Sequence, residues 1–218
     1  MGNQLSALVS RILFKTRKCK VAVLGLDGAG KTTLMNSLTK PLVNSRNTAP
    51  TMGPEIHTKK IGNVSFELYD IGGGGEKVRA LWIHYLEDCA GVVFVVDSTD
   101  DDRLMHISRL VEKNSNYPST KNKPILVLAN KQDSADALSA EDVEQKMGLH
   151  ETLGPNRPWK CMSVSGLRKD GVLEAFTWFS KAISSPKIHP ESKYRVEKES
   201  SSLVLKSPEP VKNKILEV

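Results

Sequence analysis

The run Gly25-Leu26-Asp27-Gly28-Ala29-Gly30-Lys31-Thr32, followed by Thr33, fits the pattern G-x-x-x-x-G-K-[ST]. It constrains the fold more than any other stretch, because the pattern works only between a strand and a helix. Glycines let the backbone curl until its N–H groups face an anion, and the next helix turns the positive end of its dipole toward the same charge. The sequence supplies both neighbours: Val21 to Leu26 is an apolar run of strand length, and Lys31 to Thr39 is a helical stretch stopped by Pro41. On this mechanism the loop from Gly25 through Asp27, Gly28, Ala29 and Gly30 to Thr33 cradles the phosphates of a nucleotide. Lys31 reaches the outer phosphates and the Thr32 hydroxyl meets Mg²⁺.

The remaining chain repeats the alternation. Ile61 to Ile71, Val92 to Asp97 and Ile125 to Ala129 read as strands, with a weaker one near Lys160 to Val164. Helical patterns cover Lys77 to Glu87, Asp102 to Asn114, Ala140 to Met147 and Val172 to Ile183. Nearly continuous apolar strands between amphipathic helices imply an α/β protein with an open, doubly wound parallel sheet. Glu55 to Lys60 and the strand from Val64 are separated only by Ile61, Gly62 and Asn63, which predicts a hairpin and one antiparallel edge. Six strands are therefore expected. Beyond Ser184, prolines at 186, 190, 208 and 210 punctuate polar sequence, and composition predicts a disordered tail over 185–218.

Charge separates the parts. The whole chain carries a formal +6, but residues 1–20 hold Arg11, Lys15, Arg17, Lys18 and Lys20 with no acid. Residues 21–185 balance to −1, so the central domain is not expected to bind nucleic acid. The longest strongly apolar run, Gly91 to Val96, is far shorter than the roughly 20 residues that cross a bilayer. The three cysteines are widely spaced, without a zinc pattern, and a reducing cytoplasmic setting is expected.

A second polar cluster, Asn130-Lys131-Gln132-Asp133, follows the Ile125 strand. A carboxylate at Asp133 accepts from guanine's N1–H and exocyclic amine, a donor pair that adenine lacks, which argues against an ATPase or kinase. Asn130 ties loops together and the Lys131 stem packs over the ring. A third base loop is expected at Cys161-Met162-Ser163-Val164, with Met162 and Ser163 presenting backbone N–H to the base.

These motifs, with Thr48-Ala49-Pro50-Thr51-Met52-Gly53, Asp70-Ile71-Gly72-Gly73, Leu81-Trp82, His84-Tyr85 and Val95-Val96-Asp97-Ser98, resemble the Arf and Arf-like small GTPases over about residues 3 to 184. The resemblance implies the P-loop small-GTPase fold, a GTP/GDP switch with Mg²⁺, and effectors that bind the GTP form. It assigns Thr51 to Mg²⁺, Asp70 to a Mg²⁺ water and the Gly73 N–H to the γ-phosphate. Where the family has a water-orienting Gln, this chain has Gly74-Gly75, one residue more than the family's usual spacing before Glu76. Intrinsic hydrolysis is therefore expected at or below about 10⁻⁴ s⁻¹. The alternative is a GTP-locked scaffold with no useful hydrolysis. Loss of this Gln is shared with the ciliary branch of the Arf-like group, although the tail here lacks that branch's long charged helix. Pro54 replaces an aromatic used by relatives for effector contact, so partner choice is not transferable.

Met1-Gly2-Asn3-Gln4-Leu5-Ser6 fits the acceptor pattern for myristoylation of Gly2. Leu5, Leu8, Val9, Ile12 and Leu13 fall on one helical face beside the basic residues. A single myristoyl chain binds membranes marginally, and a basic amphipathic helix is the second signal needed. Cys19 is a candidate for further acylation. The expected organisation is an arm over 1–19, a GTP-binding domain over 20–184 and the tail. The expected protein is a monomer, peripheral on a membrane, with exchange factor and GAP unidentified.

Overall fold

The computed structural model describes residues 16–40 and 54–185. The Gly2 arm, the Thr48 to Gly53 segment with Thr51, and the tail from 186 onward lie outside the described residues.

The described chain builds one sheet of six strands: β1 (Arg17–Leu24), β2 (Glu55–Ile61), β3 (Val64–Asp70), β4 (Gly91–Asp97), β5 (Ile125–Asn130) and β6 (Trp159–Ser163). Their spatial order is β2-β3-β1-β4-β5-β6. The β2/β3 pair is the antiparallel hairpin closed at Ile61 and Val64, and all other pairs are parallel. Helices α1 (Lys31–Thr39), α2 (Gly75–Ala80), α3 (Trp82–Leu86), α4 (Leu104–Ser115), α5 (Ala140–Lys146), α6 (Leu149–Leu153) and α7 (Val172–Ser184) connect the strands.

Alternation along the strands feeds two cores. Val21, Val23, Val93 and Val95 meet α1 and α7 on one face, around Leu34, Phe176 and Phe179. Ala22, Leu24, Phe94 and Val96 meet α3, α4 and α5 on the other, around Trp82, Leu86, Ile107 and Val143. Helices on both faces keep the central strands dry, which is why their sequences are almost uninterrupted Val, Ile and Leu. Helix α1 ends where expected: Lys40 is extended at φ −108°, ψ 152°, as a residue before proline must be. Helix α5 starts on a capping box in which Ser139 and Asp142 satisfy each other's backbone N–H.

Three expectations change. The first strand begins at Arg17 rather than Val21, because Arg17 to Lys20 pair with Val64 to Glu67 of the hairpin. Arg17, Lys18 and Lys20 therefore belong to the sheet and not to a free arm, and Cys19, buried against the core, has no exposed thiol to acylate. The single helix expected over Lys77 to Glu87 is two short ones, broken at Leu81. Leu81 stays exposed while Trp82 turns inward and donates its indole N–H to Gly72 O at 3.0 Å. Helix α6 had no periodic signal of its own; its five residues bury only Leu149 and Leu153.

Candidate functional site: the phosphate loop and its neighbours

The turn between β1 and α1 stands at the C-terminal edge of the sheet. Gly30 has φ +85°, and a Cβ there would lie 2.5 Å from Asn130 Nδ2, so both backbone shape and the neighbouring amide demand glycine. Lys31 folds along the loop and donates to Gly25 O at 3.0 Å and Leu26 O at 2.8 Å. Burial pushes its ammonium below the usual lysine range, against the opposing pull of Asp70 and Asp27. A nearly buried cation fixed by two carbonyls is held ready for an anion without having to be ordered.

Beside it, the Thr32 hydroxyl donates to Asp70 Oδ2 at 2.5 Å, across 38 residues of sequence. Asp70 is fully buried and its Oδ1 has no hydrogen-bond partner. Burial raises this carboxyl above the ordinary range, while the Thr32 bond and Lys31 oppose the shift. An unpartnered buried carboxylate oxygen beside a threonine hydroxyl suits a hydrated divalent cation. Among the described residues no cluster of three or more His, Cys, Asp and Glu side chains gathers. Thr32 and Asp70 offer a cation oxygen ligands alone, a donor set that fits Mg²⁺ better than zinc.

Gly73 is pressed onto the loop: a Cβ would sit 2.1 Å from Gly25 O and 2.7 Å from Asp27 N. The Gly73 backbone is therefore packed directly against the phosphate loop. Arg79 Nη1 donates to Gly73 O at 3.1 Å. Gly74, immediately before α2, has open space around its Cα, with nothing within 4 Å of where a Cβ would stand.

At the other end, Asn130 joins three segments. Its Nδ2 donates to Ala29 O at 2.8 Å and its Oδ1 accepts from Gly166 N at 2.9 Å. Lys131, at φ +72°, extends to Asp97 Oδ2 at 2.5 Å. Burial pushes the Asp97 carboxyl up, but Lys131 and two bonds from Thr99 outweigh it and leave it below the usual carboxylate range. Asp133 Oδ1 accepts from Ser165 Oγ at 2.5 Å.

Here the expected third loop is corrected. Met162 and Ser163 lie in β6; Met162 is buried in the core, and Ser163 Oγ accepts the N–H of Ala140. The segment that touches Asn130 and Asp133 is Ser165-Gly166, two residues later. No local pattern marks it, and only the β5/β6 register, Ala129 opposite Ser163, fixes where the chain leaves the sheet.

A profile of the ADP-ribosylation factor family matches residues 5–183. This chain belongs to the ADP-ribosylation factor family. It is similar to the solved Arl6 (BBS3) small GTPase from Trypanosoma brucei with bound nucleotide analogue GppNp: TM-score 0.69, 30% identity, covering 77% of this chain and 98% of that one. The doubly wound sheet with its one antiparallel edge is the fold of the ADP-ribosylation factor family, and guanine-nucleotide binding comes with that membership.

Proposed function

We propose that this chain is an Arf-type GTP/GDP switch that recruits effectors to a membrane in its GTP form and hydrolyses GTP slowly by itself. Slow hydrolysis rests chiefly on the bare Cα of Gly74, which leaves open space where relatives place the water-orienting Gln. Phosphoryl transfer in this class depends on positioning and charge stabilisation rather than covalent help from the protein.

In this reading Gly25, Asp27, Gly28, Ala29, Gly30 and Thr33 line the phosphates and Lys31 meets their outer charge. Gly73 offers its N–H to the terminal phosphate. Asp133 reads the guanine edge, Asn130 binds the base loops to the phosphate loop, and Ser165-Gly166 takes the place expected of Met162 and Ser163. Thr32, Thr51 and, through water, Asp70 would hold Mg²⁺, which when bound offsets phosphate charge. The arm, myristoylated at Gly2, supplies the membrane contact; unchanged liposome binding by GTP-loaded Gly2→Ala would defeat that part.

Single-turnover GTP hydrolysis with Mg²⁺ tests the switch. Wild type is expected at or below about 10⁻⁴ s⁻¹, and Gly74→Gln faster by about tenfold or more. A wild-type rate equal to that of a Gln-containing relative would refute slow hydrolysis. The GTP-locked scaffold is the second reading, favoured by Gly75, whose φ of +66° starts α2 from an added glycine. It is the reading to adopt if the Gln variant is as slow as wild type.

A further inference from the structure

We infer that Arg103 is a latch on the phosphate loop that slows release of guanine nucleotide by neutralising Asp27; the inference rests on the loop receiving nucleotide phosphates, as read above. Arg103 closes the 3₁₀ turn Asp101–Arg103, just before α4. Asp100 fastens it from behind: Oδ1 accepts the Arg103 backbone N–H at 3.3 Å, and Oδ2 takes the guanidinium. Nε and Nη2 both meet Asp100 Oδ2, and the guanidinium also reaches across to the phosphate loop. Nη1 lies 3.4 Å from Asp27 Oδ1 and Nη2 lies 3.4 Å from Asp27 O.

Asp27 is an awkward residue for its place. It carries a carboxylate on a loop whose neighbours collect positive charge: Leu26 O holds the Lys31 ammonium, and the Asp27 N–H stands beside Gly73. A negative charge there repels polyphosphate, and the field of one charge spans several ångströms even in a partly wet cleft. Arg103 answers it twice. It cancels the carboxylate's charge, and it holds the Asp27 carbonyl outward, so that the same peptide plane does not turn its oxygen toward the phosphates.

The magnitude is modest. The side chains of Arg103 and Asp27 are 41% and 65% exposed, so salt screens their attraction, and the latch tunes retention rather than creating it. This role is distinct from a transition-state contact. The guanidinium is engaged by Asp100 and Asp27 and reaches the nucleotide through them, which makes Arg103 a positioning residue.

Dissociation of fluorescent GDP from the full chain, chased with unlabelled GDP and Mg²⁺ at about 50 and 500 mM salt, tests this. Arg103→Gln is expected to release nucleotide about three to ten times faster at low salt, and the gap is expected to shrink at high salt. Arg103→Lys, which keeps the charge and loses the fork, should fall between. Adding Arg103→Gln to Asp27→Asn should change the rate less than about twofold, since the charge to be neutralised is gone. Unaltered release in Arg103→Gln overturns the latch, as does an equal acceleration in the Asp27→Asn background, which would mean that arginine acts elsewhere. A wild-type protein that retains no fluorescent GDP overturns the nucleotide reading itself, and that shows in the starting signal before any variant is compared.

Discussion

The phosphate loop and the segment Gly72 to Ala80 touch at Gly73, yet they are built on opposite principles. In the loop, Leu26, Ala29 and Lys31 are buried, and the backbone carbonyls of Gly25, Leu26 and Ala29 are held by Lys31 and Asn130. In the neighbouring segment, α2 buries none of its six residues. Val78 and Leu81 face solvent, and the segment is pinned near its ends, by Trp82 to Gly72 O and Arg79 to Gly73 O. Few buried apolar contacts mean a low free energy of local opening. In the proposed switch this difference separates recognition from response: a pre-ordered frame would grip phosphate, and a lightly held strip beside it would take another position when the contact at Gly73 changes.

Substitutions should expose this contrast. Lys31→Met removes the buried cation and leaves two carbonyls unpaired, so guanine-nucleotide affinity should fall about a hundredfold in equilibrium titration; a loss below about threefold would show that the loop does not rely on it. Gly73→Ala places a methyl 2.1 Å from Gly25 O, which the rigid loop cannot yield to. The strip must move instead, with a stability loss of about 1–3 kcal/mol and faster hydrogen exchange over 72–80. Protection lost in residues 25–31 instead would reverse the assignment of rigid and yielding partner. Val78→Ser, on the exposed face of α2, should change stability by less than about 0.5 kcal/mol in denaturant unfolding. A larger loss would mean that α2 is docked more firmly than its exposure indicates.

How much could be read in advance follows the same division. Helix α1 was legible residue for residue, since its start lies in the glycine-rich turn and its stop in Pro41. The hairpin was legible because only Ile61, Gly62 and Asn63 part its two runs in the sequence, and the structure narrows that gap to Gly62 and Asn63 by placing Ile61 in β2. The break at Leu81 was not, for a helical period runs through it; what divides α2 from α3 is the inward turn of Trp82 toward Gly72. Cys19 read as part of a basic arm until pairing with β3 turned it inward. Ser165-Gly166 escaped because its partners, Asp133 and Asn130, are 32 and 36 residues away.

The sequence alone determined the phosphate loop, because that site is made of consecutive residues: glycines, one lysine and a helix start act through local backbone geometry. It also determined the α/β alternation. Tertiary structure decided which distant groups complete the site. The strand order that sets β1 between β3 and β4 brings Asp70 to Thr32 on one side and the Asp100 and Arg103 turn to Asp27 on the other. Such contacts depend on sheet order and register, and no local run of residues encodes them.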